Sequence, residues 1–190
     1  MRKIKFNTHI LAYAGVLVAM NVVLTRFLAI PIGADLRISV GYTPIILASL
    51  WFGPLIGGIC GALGDLLGCL VGGYAPNPLI FISNVLVGVL PWLINRFIVR
   101  GLPRSTKSAD GKGKIWGIGF LKTLVIVFIT SAICSEGFTT WGLSIMMGVT
   151  FWAEFLIRLP QTIGLIIANS ILVFLLYESP ITSLVKGSRK

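Results

Sequence analysis

Six apolar stretches, separated by short polar or glycine- and proline-containing breaks, organise the sequence. They cover roughly residues 8–28, 37–52, 54–72, 77–99, 115–135 and 151–177. A helix needs about 20 apolar residues to cross the hydrocarbon core of a bilayer, and all but the second stretch come close to that length or exceed it. The pattern predicts an all-α membrane protein, a bundle of six transmembrane helices in a single domain covering residues 1–190.

The breaks between the stretches support this division. Gly53-Pro54 separates the second stretch from the third, because proline suits the first turn of a new helix. The polar stretch RGLPRSTKSADGKGK, residues 100–114, is predicted to link the fourth and fifth helices. Residues 136–150 are too many for a tight turn and too apolar for a solvated loop, so we expect them to cover the outer face of the bundle.

Composition agrees with a membrane protein and excludes a nucleic-acid partner. Apolar residues make up 56% of the chain and charged residues only 12%, and the mean hydropathy is +0.94. The net charge of +10 comes from basic residues at the chain ends and in one loop, without interleaved aromatic residues. The N-terminal apolar stretch is predicted to stay as the first transmembrane helix, because no small-residue cleavage site follows it.

The distribution of lysine and arginine predicts the orientation. Of the 16 basic residues, 13 lie in the N-terminal tail, in the linker with its flanks, or in the C-terminal tail. Lysine and arginine are enriched on the cytoplasmic side of membrane proteins, and an even number of spans brings both termini to one side. The sequence therefore predicts a multi-pass protein of the cell membrane with both termini cytoplasmic.

The three remaining basic residues are Arg26, Arg37 and Arg158. This topology places them near the outer side, where ionisable groups in apolar surroundings often mark a site. The planar guanidinium binds carboxylates in bidentate fashion, so the arginines predict an outward-facing pocket for an anion. The alternatives are that they extend to the membrane interface or form structural ion pairs. Glu154, four residues before Arg158, is one such partner.

Further candidate site residues are polar or aromatic. Tyr74, Asn77 and Asn84 fall at or below the outer mouth of the fourth helix, and the two asparagines are seven residues apart and share one helical face. Their amides are suited to reading the heteroatoms of a ring, or to ordinary hydrogen bonds between helices. Trp141 is predicted either as a wall of the pocket or as part of an interfacial aromatic belt.

The third stretch contains four glycines at helical spacing, Gly57, Gly61, Gly64 and Gly68. Small residues let membrane helices approach closely, so tight helix packing is the expected role. Asp65 lies among them. A carboxyl group there is able to relay a proton, bind an ion or accept hydrogen bonds from a neighbouring helix, and the structural role is the preferred interpretation.

Several kinds of chemistry are not indicated. The three cysteines, Cys60, Cys69 and Cys134, are scattered and form no Cys-x-x-Cys motif, so neither a disulfide framework nor a metal site is predicted. The sequence has no Walker A motif, and it has no Gly-x-Ser-x-Gly motif. We therefore expect no enzyme activity and no cofactor, and any energy for transport has to come from another polypeptide.

Three segments carry a resemblance to a known family. LTRFLAI, LRISVGYTPIILASLWFGPLIGGICGALGDLLG and GVTFWAEFLIRLPQTIG make the chain, over about residues 10–175, similar to the substrate-binding S component of an energy-coupling factor (ECF) transporter, in particular the folate family. The resemblance implies six helices and a vitamin bound from outside with high affinity. It also implies a transmembrane coupling subunit, two cytoplasmic ATPase subunits, and a coupling-subunit contact at Gly15 and Ala19. The arginines of the family match Arg26 and Arg158.

The resulting hypothesis is a high-affinity vitamin-binding subunit of an ECF-type ABC importer, for folate or a related anionic vitamin. The glutamate tail of folate offers carboxylates to the arginines, and its pterin ring suits the asparagine and aromatic side chains named above. The alternatives are an S component for another substrate, such as pantothenate or a modified base, and a small membrane enzyme such as a lipid-modifying transferase. A purely structural membrane subunit is a third, but it would not need three outward arginines.

Overall fold

The computed structural model describes residues 8–32, 36–73, 75–99 and 112–179, together with Thr182 and Val185. Within these ranges, residues 31, 32, 36, 37 and 112–118 are described by their backbone alone. The elements in chain order are α1 (Thr8–Arg26), β1 (Ile30–Ile32), β2 (Leu36–Ile38), α2 (Tyr42–Phe52), α3 (Pro54–Gly72), α4 (Pro78–Phe97), α5 (Lys112–Ser131), a π-helical segment (Ala132–Thr139), α6 (Thr140–Met147) and α7 (Phe151–Glu178).

Within the described ranges, five helical segments are long and apolar enough to cross a membrane. They are Thr8–Arg26, Pro54–Gly72, Pro78–Phe97, Gly119–Met147 and Phe151–Glu178. The sixth apolar helix, α2, has 11 residues and is therefore only about 16 Å long at about 1.5 Å per residue. The six-helix bundle predicted from the sequence is confirmed, with α2 as its short member.

The short helix α2 forms the centre of the bundle. Its residues Ile46 and Ala48 are fully buried, and Phe52 is 1% exposed. Helices α1, α3, α4 and α7 all contact it. A helix that is apolar on every face is stable only when it is covered on every face, which explains its central position. The hydroxyl of Thr43 donates a 2.8 Å hydrogen bond to Oδ1 of Asn169 and so fixes α2 to α7.

Helices α3 and α4 approach each other closely at two glycines. A Cβ atom at Gly57 would overlap the carbonyl oxygen of Gly88, and one at Gly61 would overlap that of Asn84. Only a residue without a side chain fits at these two positions, because the obstacle is backbone rather than a movable side chain. Tight packing, the role expected from the spacing of the glycines, is therefore confirmed for Gly57 and Gly61.

The second helix begins later than predicted. Residues 37 and 38, which were expected to open it, belong instead to strand β2, which pairs antiparallel with β1, with Ile30 opposite Ile38. The helix itself starts at Tyr42. Each of the two three-residue strands contains β-branched isoleucine, which favours extended backbone, and apolar content alone did not separate such a hairpin from the start of a helix.

The fifth helix ends later than predicted. No break follows residue 135, since the chain stays helical through the π-helical segment and α6 to Met147. Gly148, with φ of 67°, then ends α6, and α7 starts three residues later. The hydroxyls of Thr139 and Thr140 each donate a 3.0 Å hydrogen bond to the carbonyl five residues earlier. Residues 136–147 are thus helical and continue the fifth helix.

A candidate ligand-binding cavity

A cavity of about 400 Å³ lies at one end of the bundle. Because successive helices run in opposite directions, the ends of α1, α3 and α6 meet there with the beginnings of α2, α4 and α7. Its size is within the usual range for small-molecule sites, about 300–1,000 Å³. The lining residues are Asn21, Thr25, Arg26, Tyr42, Gly64, Asp65, Cys69, Ala75, Asn77, Ile80, Asn84, Thr139, Leu143, Met146, Met147, Arg158 and Gln161.

Two of the three predicted arginines line this cavity. Arg26 is the last residue of α1, and Arg158 lies in the second turn of α7. The Nη1 atom of Arg158 is buried and has no hydrogen-bond partner among the described residues. The side chain of Arg37 lies outside the described residues. The structure therefore brings together two cationic side chains that are 132 positions apart in the sequence.

The alternative role predicted for Arg158, an ion pair with Glu154, is not formed. Both residues are described, and no hydrogen bond or ion pair joins them, although Glu154 is buried. Arg158 also lines a smaller adjoining cavity of about 140 Å³, as do Thr25, Tyr42 and Gln161. The guanidinium therefore lies in a wall shared by two cavities.

The glycines of α3 nearest the cavity make room for side chains of α1. A Cβ atom at Gly68 would lie 2.8 Å from both Nε and Nη2 of Arg26. A Cβ atom at Gly64 would overlap Oδ1 of Asn21. Gly64 and Gly68 thus accommodate polar side chains at the site, whereas Gly57 and Gly61 on the same helix pack against backbone. The spacing of the four glycines predicts helix packing for all of them and does not reveal this second role.

Asp65 and Asn84 form a polar contact between α3 and α4 on the cavity wall. Asp65 is 7% exposed, and its Oδ1 accepts a 3.0 Å hydrogen bond from Nδ2 of Asn84. Nδ2 of Asn84 also donates to the carbonyl of Ile80, at 3.2 Å. The positive charge of Arg26 attracts the Asp65 carboxylate. The preferred interpretation of Asp65, as an acceptor from a neighbouring helix, is confirmed, and the residue lies at the cavity as well.

Asn77 lines the cavity but uses its amide for structure. Its Oδ1 caps α4 by accepting a 2.9 Å hydrogen bond from the backbone nitrogen of Leu79. Its Nδ2 donates a 3.3 Å hydrogen bond to the carbonyl of Gly142 and so joins α4 to α6. The structural alternative for this asparagine is therefore the one observed. Tyr74, the neighbouring candidate, lies outside the described residues.

Trp141 is not part of this cavity, so its prediction as a pocket wall is corrected. Its side chain is 53% exposed and lines a separate apolar groove with Gly137, Phe138 and Phe151. On the same short helix, Leu143 faces the cavity, and two residues correspond to about 200° of rotation around a helix. Trp141 therefore lies on the opposite face of α6.

Other residues at the cavity were missed in the sequence. Asn21 and Gln161 are uncharged polar residues within apolar helices, five residues before Arg26 and three residues after Arg158. Polar side chains inside membrane helices commonly face the interior of the bundle, which is the signal that could have found them. Nδ2 of Asn21 donates a 2.7 Å hydrogen bond to the carbonyl of Gly41 and so joins α1 to the start of α2.

The arrangement of the helices agrees with comparisons to known proteins. Residues 5–179 match the family described as ECF-type riboflavin transporter, S component. This chain belongs to that family. It is therefore an S component, a membrane protein that is part of a transporter and not an enzyme.

Individual S components are similar to this chain over most of its length. The folate transporter FolT of Clostridium novyi (strain NT) is 29% identical over 124 residues, which are 63% of this chain and 64% of that protein. The chain thus matches a little under two thirds of the length of that relative. A crystal structure of FolT bound with folic acid has a TM-score of 0.63 at 28% identity, over 90% of this chain and 93% of that one.

Two more distant structures share the fold. ThiT from Listeria monocytogenes has a TM-score of 0.65 at 18% identity, over 91% of this chain and 96% of that one. The S component of a bacterial ECF transporter has a TM-score of 0.58 at 23% identity, over 92% and 96% of the two chains. The S-component fold predicted from the sequence is therefore confirmed.

Proposed function

We propose that this S component is the high-affinity vitamin-binding subunit of an ECF-type ABC importer, and that its vitamin is folate or a close anionic relative. The observation that carries the proposal is the pair Arg26 and Arg158 in one cavity. With Asp65 as the only acidic residue among the described lining residues, two positive charges and one negative charge leave a net positive site. A ligand with carboxylates complements that charge.

The tail of folate carries the charge that complements the arginines of the cavity. Its glutamate tail carries two carboxylates, and a guanidinium binds a carboxylate through two parallel hydrogen bonds. The buried Nη1 of Arg158, which lacks a partner among the described residues, gains one when a carboxylate binds. The likeness to FolT and to its structure with folic acid supports the same ligand.

Riboflavin is the second candidate, because the matching family is described as riboflavin transporters. Riboflavin has no ionised group at neutral pH. Its binding would leave the buried Nη1 atom of Arg158 without an oppositely charged partner, and an uncompensated charge in a low-dielectric site is costly. The charge of the cavity therefore favours folate over riboflavin.

The proposal includes the partners and the orientation. Gly15 and Ala19 are exposed on α1, and a Cβ atom at Gly15 would meet no other atom within 4 Å. We assign this face to a transmembrane coupling subunit, which works with two cytoplasmic ATPase subunits. The cavity lies at the opposite end of α1 from Thr8, so cytoplasmic termini place it on the outer side, where the vitamin arrives.

Calorimetric titration of the purified chain with folate, riboflavin and pantothenate tests the proposal. We expect folate to bind with the highest affinity and to be found by mass spectrometry among small molecules that copurify with the protein. Tight binding of riboflavin without binding of folate would contradict the proposed ligand while leaving the family assignment intact.

A further inference from the structure

One oxygen of the Asp65 carboxyl group stands out among the polar atoms at the cavity. Asp65 is 7% exposed, and its Oδ2 atom is buried without a hydrogen-bond partner among the described residues. Its other oxygen, Oδ1, accepts from Asn84. Buried polar atoms in folded proteins nearly always have a partner. An acceptor left open on the wall of a cavity is thus suited to a donor on the ligand.

At Asp65 and the amide nitrogen of Asn84, every further hydrogen bond must be one that the protein accepts. Nδ2 of Asn84 carries two hydrogens, and it donates to Oδ1 of Asp65 and to the carbonyl of Ile80. The carboxylate has no hydrogen to donate, and Oδ1 keeps a second lone pair. A ligand group placed here must donate, so a carboxylate or a carbonyl edge is disfavoured at this corner.

Resting on the proposed function, we infer that Asp65 selects the ring of the vitamin by accepting two parallel hydrogen bonds from a 2-amino-4-oxopyrimidine edge. That edge presents an amino hydrogen and a ring N–H side by side, with the same spacing as the fork of a guanidinium, and a carboxylate binds such a fork in bidentate fashion. The pterin ring of folate has this edge. The isoalloxazine ring of riboflavin presents one N–H between two carbonyl groups instead.

The inferred contact also fixes the direction of the ligand. Asp65 repels the carboxylates of the glutamate tail, whereas Arg158 attracts them. The ring therefore lies against α3 and α4, and the tail extends towards α7 and the smaller adjoining cavity. Asn84 acts as a positioning residue, because its hydrogen bond holds the carboxyl group of Asp65 in place.

A different role for Asp65 has to be distinguished from this one. The charge of Arg26 interacts with that of Asp65, so the carboxylate could serve only to orient the guanidinium. In that case its removal would weaken every anionic ligand by the same factor, whatever ring the ligand carries.

The test combines two probes with three proteins. The probes are folic acid and its 2-desamino-2-methyl analogue, which differ at the ring edge and share the tail. The proteins are the unaltered chain, Asp65→Asn, which keeps the shape but loses the carboxylate, and the control Gly164→Ala, a change at an exposed helical glycine where a Cβ atom would meet nothing within 4 Å. Dissociation constants are measured for all six combinations.

We expect the unaltered chain to prefer folic acid over the analogue by about tenfold or more, the value of one good hydrogen bond to a charged group. Asp65→Asn should abolish that preference by weakening folic acid about tenfold while changing the analogue by no more than about threefold. Gly164→Ala should keep the preference.

Equal weakening of both probes by Asp65→Asn would overturn the inference and assign Asp65 to the orientation of Arg26. Equal affinity of the unaltered chain for the two probes would also overturn it, and this comparison stands even if Asp65→Asn does not fold. An unaltered chain that binds riboflavin and neither folate probe would instead contradict the proposed function, and the inference with it.

Discussion

Gly68 lies directly against the guanidinium of Arg26, so that a Cβ atom at position 68 would be only 2.8 Å from both Nε and Nη2. The last turn of α3 thereby sets the position of the side chain that ends α1. A glycine of the helix-packing pattern is thus also in contact with a side chain that lines the cavity, and we expect its lack of a side chain to matter for binding.

Gly68→Ala is expected to weaken folate binding about tenfold while leaving the fold intact. The added methyl group meets the flexible end of Arg26 rather than backbone, so the guanidinium shifts and the helix does not. Loss of one charge-assisted hydrogen bond costs about 1.5–3 kcal/mol, which is about tenfold to a hundredfold in affinity. Calorimetry gives the affinity, and thermal unfolding of the ligand-free protein gives the stability.

The matched control for that variant is Gly164→Ala, at an exposed helical glycine where a Cβ atom would meet nothing within 4 Å. It should leave folate affinity unchanged. Unaltered affinity in Gly68→Ala as well would show that the position of the Arg26 guanidinium does not matter for binding.

Gly57→Ala should act on stability instead. Its Cβ atom would overlap the carbonyl oxygen of Gly88 and lie 2.9 Å from Cβ of Ser49, so α3, α4 and α2 have to move apart. Overpacking of this kind typically costs about 1–3 kcal/mol. We expect a lower unfolding temperature of the ligand-free protein than in Gly164→Ala. A melting temperature equal to that of the parent would contradict the close approach of α3 and α4.

The exposed small-residue face of α1 is expected to bind the coupling subunit. Gly15→Leu or Ala19→Leu should prevent assembly with that subunit, because a bulky side chain blocks close helix approach. Ligand binding should persist, since neither residue lines the cavity. Copurification of the complex and calorimetry of the isolated chain measure the two properties, with Gly164→Leu as the control. Loss of binding with retained assembly would show that this face has been assigned wrongly.

Trp141→Ala is expected to change folate affinity by less than about twofold, a difference of under about 0.5 kcal/mol. The indole is 53% exposed and lies in a separate groove from the cavity. Direct titration measures the effect. A loss of tenfold or more would place the tryptophan at the ligand after all and contradict the arrangement of α6.

The sequence predicted those parts of the structure that depend on apolar length and on isolated charge. Hydropathy located the helices because a membrane-crossing segment has to be apolar along its whole length. Arg26 and Arg158 were found as candidates because a charge in such surroundings is expensive and therefore rarely accidental. Both line the cavity.

The parts that the sequence did not predict depend on backbone geometry. The π-helical segment Ala132–Thr139 adds residues per turn, so it changes the rotational position of everything after it. The face on which Trp141 lies therefore could not be read from a regular helical period. The roles of Gly64 and Gly68 depend on contacts with α1, which the spacing of glycines along one helix does not contain.

The central claim is that the two arginines of the cavity hold an anionic vitamin, and the folate dissociation constant of Arg26→Ala tests it most directly. Calorimetry should show folate binding at least about tenfold weaker than in the parent, the effect of one charge-assisted contact, while the ligand-free protein melts at nearly the same temperature. Equal folate affinities of the variant and the parent would contradict the claim.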